Sequence, residues 1–215
     1  MRYRLAIFDF DGTLADSFSW FLGVVNVLAD EHGFRRMEEH EVETLRGQGA
    51  RQIVAHLKVP AWKLPRVAHR MRQYMARDIG RITPFPGVDR LLRELAGRGV
   101  RLAVVTSNSI DNVRRVLGPE SAALIHHYEC GASMFGKRPK LRAVLRSSGV
   151  PAAETLCIGD EVRDLEAARA EGIAFGAVTW GYTNPEALRA YAPEEVFESL
   201  EEILSPFHPG AHQDF

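Results

Sequence analysis

The stretch Leu5-Ala6-Ile7-Phe8-Asp9-Phe10-Asp11-Gly12-Thr13-Leu14 governs how the remaining residues of this 215-residue chain are understood. Four successive apolar residues are too short a run for a helix, but they suit a strand buried on both faces. Asp9 and Asp11 stand two apart, so on extended backbone both carboxylates leave on the same side and can face one pocket. Gly12 permits a sharp exit from the strand without a Cβ penalty. Carboxylates this close repel one another unless a cation or proton lies between them. An acid at the end of a buried strand is also costly without a partner. A strand that delivers paired acids to a pocket therefore explains the residues better than a plain turn does.

The same grammar recurs along the chain. Leu102 to Val105, Thr155 to Ile158 and Ala174 to Val178 are short, β-branched, apolar runs, and Leu124 to Tyr128 is a weaker one. Helical patterns lie between them at Val88 to Arg98, Ile110 to Leu117, Lys140 to Ser147 and Val162 to Glu171. This alternation predicts an α/β fold with a doubly wound parallel sheet and right-handed crossovers. Residues 16–82 break the pattern with helical segments at Ser17 to His32, Glu38 to Arg46, Ala50 to Leu57 and Lys63 to Gly80. The expected organisation is an α/β core from residues 1–15 and 83–205, a helical insert over 16–82, and a C-terminal tail over 206–215. Trp20, Trp62 and Met75 are expected to pack inside the insert.

Three further pieces follow later strands, where an open α/β sheet gathers its ligand-binding groups. Thr106-Ser107-Asn108 offers a hydroxyl and a run of backbone amides at a helix start, suited to phosphate oxygens. A simple helix cap at Asn108 or Ser109 is the competing explanation. Phe135-Gly136-Lys137-Arg138-Pro139-Lys140 supplies an amine, from Lys137 or Lys140, that could neutralise Asp9 and a phosphoryl group. Gly159-Asp160-Glu161-Val162-Arg163-Asp164 places acids at a strand end, where oxygen ligands suit magnesium. Glu161 also reads as a helix N-terminal acid complementing the macrodipole. The order of the four pieces, each after its own strand, makes coincidence a poor explanation.

Composition narrows the function without naming it. With 27 basic against 28 acidic residues the net charge is −1, so no bulk field points to nucleic acid or an anionic membrane. No apolar run approaches the ~20 residues of a membrane-spanning helix. The N-terminal apolar run is too short and too acidic for a secretory signal. Cys130 and Cys157 lack metal-binding spacing and read as free thiols in a reducing compartment, so a cytoplasmic location is expected. His208 and His212 are separated by Pro209 and Gly210, which argue against a helix that would align them on a metal.

These residues resemble the haloacid dehalogenase superfamily of phosphohydrolases over nearly the whole chain. Asp9 to Thr13 is similar to its first motif, Thr106 to the hydroxyl of its second, Lys137 to the lysine of its third, and Gly159-Asp160 through Asp164 to its fourth. The insert resembles the helical cap of the phosphoglycolate phosphatase and β-phosphoglucomutase branch. Asp11 is similar to the phosphatase and phosphomutase pattern, whereas dehalogenases lack a carboxylate there.

The resemblance implies a Mg2+-dependent phosphatase acting on a small phosphorylated metabolite, with Asp9 as nucleophile and Asp11 as acid and base. Asp9, Asp160 and Asp11, the last through its backbone carbonyl, would hold the metal, with Asp164 and Glu161 outside them. Gly12, Thr13, Thr106, Ser107, Asn108 and Lys137 would meet the phosphate, and Arg51 of the insert is the candidate for an anionic substrate. A phosphomutase is the nearest alternative, and a non-catalytic phosphate-binding regulator is the alternative of another class. Monomer and homodimer both stay open.

Overall fold

The computed structural model describes residues 2–132 and 136–208. Its strands β1 (Leu5–Phe8), β4 (Arg101–Val105), β5 (His127–Glu129), β6 (Thr155–Gly159), β7 (Ala174–Val178) and β8 (Glu195–Phe197) form one parallel sheet in the order β5-β4-β1-β6-β7-β8. Phe8 pairs with Val104 on one side and Ile158 on the other, which makes β1 the central strand. The chain first winds from β1 to β4 and β5, then returns past β1 to β6. That reversal opens a crevice at the carboxyl ends of β1, β4 and β6, the usual ligand position in open α/β sheets.

The alternation of side chains explains why β1 is apolar throughout. Ala6 and Phe8 enter the core on one face of the sheet, and Leu5 and Ile7 enter the core on the other. Helices α5 (Val88–Gly97), α6 (Ile110–Ala123), α7 (Arg138–Ser148), α8 (Val162–Arg169) and α9 (Pro185–Arg189) complete the crossovers.

Helices α1 (Phe18–His32), α2 (Val42–Arg46), α3 (Ala50–His56) and α4 (Leu64–Asp78) make up the segment expected to be helical. The chain enters it through β2 (Ala15–Asp16) and leaves through β3 (Thr83–Pro84), and these two strands pair antiparallel. A two-stranded stalk thus starts four residues after Asp11 and ties the helices close to the end of β1. Val24, Leu28 and Tyr74 pack α1 on α4, while Val25, Met37, Leu45 and Leu57 form a second small core.

Several expectations shift. The strand expected from Leu124 begins only at His127, because α6 runs on to Ala123 across a kink at Gly118 (φ 74°) and Pro119. Trp62 does not pack: it is 77% exposed, with the Lys63 ammonium 5.1 Å from its ring centre. Among the described residues no helix is long and apolar enough to cross a membrane. His212, like the rest of 209–215, lies outside the described residues.

The expected tail also begins too early. Glu201–Phe207 forms a 3-10 helix, and Phe207, 0% exposed, sits 5.9 Å from the ring of Tyr3. Proline and serine around it concealed a core anchor that closes the sheet's flank. Phe207→Ala should cost about 3–5 kcal/mol of stability, as buried Phe truncations do; a shift of under about 1 kcal/mol in urea unfolding would mean the segment is not part of the core.

Candidate active site

The site forms where three strands end together. Asp9 follows β1 directly and its backbone N–H continues the ladder to Ile158 O at 2.9 Å, so its position is fixed by the sheet. Asp160 follows β6, Asp164 stands in the first turn of α8, and Lys137 immediately precedes α7. Lys137 Nζ lies 2.7 Å from Asp9 Oδ1 and 2.8 Å from Asp164 Oδ2. One carboxylate oxygen each from Asp9, Asp160 and Asp164 fall within 4.8 Å of one another. These acids are 5%, 0% and 1% exposed.

Burial and charge then sort the protonation states. Burial works against a charged Asp9, but the Lys137 ammonium outweighs it and holds the carboxyl below its ordinary range. Burial also opposes a charged Lys137, and Asp164 and Asp9 overcome it, so the amine stays protonated. Burial, reinforced by Asp9, pushes Asp160 up to about 8 and Asp164 well above the usual carboxylate range.

Asp11 goes elsewhere. Its carboxylate accepts from Ser17 Oγ at 3.1 Å and from Asn108 Nδ2 at 3.3 Å, and it is not one of the three clustered acids. Asn112 Nδ2 donates to Asn108 Oδ1 at 2.8 Å, which fixes the amide so that its NH2 faces Asp11. Burial, then the charge on Asp9, pushes Asp11 up to about 6, with Ser17 and Asn108 opposing the rise. A carboxyl poised there can hold a proton near neutrality and still release it.

Each remaining expected residue has a definite place. Thr13 Oγ1 donates to Asp160 Oδ1 at 2.7 Å, so its hydroxyl is engaged by an acid. Gly12 has φ +76°, and a Cβ there would run into the Asp160 carboxylate and the Tyr182 ring. Thr106 is buried at the end of β4 and its Oγ1 accepts from Asn108 N–H at 3.0 Å, while Ser107 is exposed. Ser109, not Asn108, caps α6 by accepting from Asn112 N–H. Lys140 Nζ donates to Thr106 O at 2.5 Å and to Gly131 O, which leaves Lys137 as the amine beside Asp9. Phe135 lies outside the described residues. Glu161 precedes α8 and pairs with Arg163 at 2.5 Å. Arg51 is exposed on α3 and makes no ion pair among the described residues.

The arrangement suits a hard cation. Three carboxyl groups cluster, one ammonium touches two of them, and neither Asp164 oxygen accepts a well-directed hydrogen bond from any described residue. An all-oxygen donor set with unsatisfied acceptors is the chemistry that magnesium takes. Asp164 contributes an oxygen to the same cluster as Asp9 and Asp160.

Four residues of the site went unread in the sequence: Ser17, Arg46, Asn112 and Tyr182. Asn112 was findable, since it stands in the first turn of the helix that follows Asn108, four residues on. Ser17 looked like an ordinary helix start. Tyr182 and Arg46 reach the site through the tertiary fold and carry no local signal.

Comparison with known proteins agrees with this geometry. The sequence pattern of the haloacid dehalogenase-like hydrolases matches residues 6–178. The chain is 32% identical over 199 residues to a phosphoglycolate phosphatase of Synechococcus elongatus, covering 92% of this chain and 94% of that one. It is 28% identical over 221 residues to an N-acetylmuramic acid 6-phosphate phosphatase of Pseudomonas aeruginosa, covering 95% and 97%. A haloacid dehalogenase-like family protein from Streptococcus pneumoniae shares the fold at a TM-score of 0.80 and 22% identity, over 96% of this chain and 99% of that one. With the sequence pattern and the sheet-edge acids in agreement, the chain belongs to the haloacid dehalogenase-like hydrolase family, among its phosphatases.

Proposed function

We propose that the protein is a Mg2+-dependent phosphatase that hydrolyses a small phosphorylated metabolite through an aspartyl phosphate on Asp9. The observation that carries this reading is the Lys137 ammonium between Asp9 and Asp164, with Asp160 beside them and Asp11 held separately. Asp9, kept ionised by Lys137, attacks phosphorus, and the bond to the leaving oxygen breaks. Asp11 gives that oxygen a proton and then takes one from the water that hydrolyses the aspartyl phosphate. Lys137, Thr106 and the amides after β4 stabilise charge on the phosphoryl oxygens. Mg2+, held by Asp9, Asp160 and either the Asp11 carbonyl or Asp164, would lower the repulsion between an anionic nucleophile and an anionic substrate.

Residues 16–82 act as a cap on the core formed by 1–15 and 83–207, excluding bulk water from the crevice. Phosphoglycolate and other short acid phosphates, together with sugar phosphates, are the substrate classes to try first, in line with the printed activities of the relatives. A cytoplasmic location fits such substrates.

A phosphate-release screen over these compounds, with magnesium and with excess chelator, tests the proposal. Release should appear with magnesium, vanish with chelator and return on repletion. Isomerised sugar phosphate in place of free phosphate would make the enzyme a mutase. No release across the panel would return the protein to a binding role. Asp11→Asn should lower kcat/KM on an alkyl phosphate by about 10²–10³-fold, the worth of a positioned general acid; a loss of under about threefold would remove Asp11 from that role.

A further inference from the structure

We propose that Tyr182 is a positioning residue for Asp11, and that Arg46 latches it, so that this acid is aligned only while the helical segment is docked. The proposal rests on the acid role of Asp11 given above and adds what holds that acid in place. Tyr182 lies in the loop after β7, where residues 179–183 have no regular structure, so the loop's shape is set by its tertiary bonds.

Every part of Tyr182 is engaged. Its N–H donates to Asp160 Oδ2 at 2.7 Å. Its hydroxyl lies 2.9 Å from Ser17 Oγ. With Asp11 ionised, Ser17 gives its single hydroxyl proton to Asp11 Oδ1, so Tyr182 is then the donor to Ser17. The result is a directed line of bonds from Tyr182 through Ser17 to Asp11. The ring packs against Phe18 and Phe21 of α1, with centres 5.1 and 5.5 Å away.

Arg46, at the end of α2, holds the loop from the other side. Its Nη2 donates to Gly181 O at 2.8 Å and its Nε to Tyr182 O at 3.1 Å, while Asn184 N–H donates to Arg46 O at 2.8 Å. The guanidinium carbon lies 5.0 Å from the centre of the Phe18 ring. At Gly181 any Cβ would overlap Asp160, so the loop lies against that acid without slack. Were α1 and α2 to lift away, Tyr182 would lose its ring contacts and Arg46 together. Ser17 would then be free to turn from Asp11. Catalysis is thereby confined to the docked state, in which bulk water is excluded.

Two variants that keep side-chain bulk test this. Tyr182→Phe keeps the ring and removes the hydroxyl; Arg46→Met keeps the stem over Phe18 and removes the donors. The readout is kcat/KM, which reports steps up to departure of the leaving group. On phosphoglycolate, whose alkoxide needs a proton, each variant should lose about 10- to 100-fold. On p-nitrophenyl phosphate, whose nitrophenolate leaves without one, the loss should stay under about threefold. Equal losses on both compounds would indicate a general structural role and overturn the proposal. The double variant should fall no further than the worse single, because both act through one latch; losses that multiply would also overturn it.

Hydrogen exchange on the metal-free protein without substrate reads the latch apart from turnover. Arg46→Met should speed exchange over residues 180–184 by about tenfold or more, with the β7 amides unchanged; no change there would sink the latch. If the unmutated protein hydrolyses neither phosphate, the phosphatase reading fails and the exchange result alone decides the latch.

Discussion

Replacing Asp9 with Asn should leave a folded protein with phosphatase activity lowered on the order of 10⁵–10⁶-fold, the usual effect of removing a catalytic nucleophile. The amide is nearly isosteric with the carboxylate and cannot attack phosphorus under these conditions. The fold should survive it. Lys137 holds the Asp9 carboxyl below its ordinary range, so that charge contributes to stability at neutral pH and the amide forgoes the contribution. Asp164 still pairs with Lys137 at 2.8 Å, so the ammonium keeps one partner. In the absence of magnesium the variant should therefore stay folded and melt somewhat below the unmutated protein. Thermal unfolding beside long-incubation phosphate release reads both effects. Activity within about tenfold of the parent would remove Asp9 from the nucleophile's role. A lost fold would mean that its charge is needed structurally.

The contrast between residues 9 and 182 shows which parts of this site a sequence can disclose. Asp9, Thr106 and Asp160 each follow a short apolar strand, and parallel winding brings such strand ends to one edge whatever the loops do. The placing of their strand ends at one edge is therefore readable from the order of the strands. Lys137 was ambiguous with Lys140, because both precede or open the same helix; only the fold sends Lys140 to the Thr106 and Gly131 carbonyls. The sequence offers Arg51 as the insert's candidate for an anion and gives Arg46 no role. Arg46 reaches the loop after β7 and the Phe18 ring, whereas Arg51 is exposed, and those partners are distant from both arginines in the chain. Phe207 was hidden in the same way: its neighbours Pro206 and His208 suggest a tail, and only the partner ring of Tyr3 at the opposite end of the chain gives it a core role. Local chemistry was legible; the contacts that aim it were not.

Lys137→Met should lower activity by about 10²–10³-fold and should destabilise the metal-free fold more than Asp9→Asn does. The activity loss follows from removing a preorganised charge beside the phosphoryl oxygens. The stability loss follows from what remains: Asp9 and Asp164 face each other in a buried pocket without the ammonium that both now contact. Breaking a buried pair from one side costs about 3–5 kcal/mol near neutral pH. The sign of its pH dependence is fixed by the directions of the shifts. In the parent, Lys137 holds Asp9 below its ordinary pKa of 3.8, so that carboxylate contributes stability above that pH and loses it in stronger acid. In the variant, burial and the neighbouring acid act unopposed, so the folded pKa rises above the unfolded one. Stability is then greatest when the acids are protonated and falls as pH rises through that higher pKa. The gap between the two proteins should consequently be widest near pH 7.5 and narrow toward about pH 5. Urea unfolding of both metal-free proteins at these two pH values makes the comparison. A gap that stays constant, or that widens in acid, would show that Lys137 does not neutralise the two acids, and the charge balance proposed for the site would fail with it.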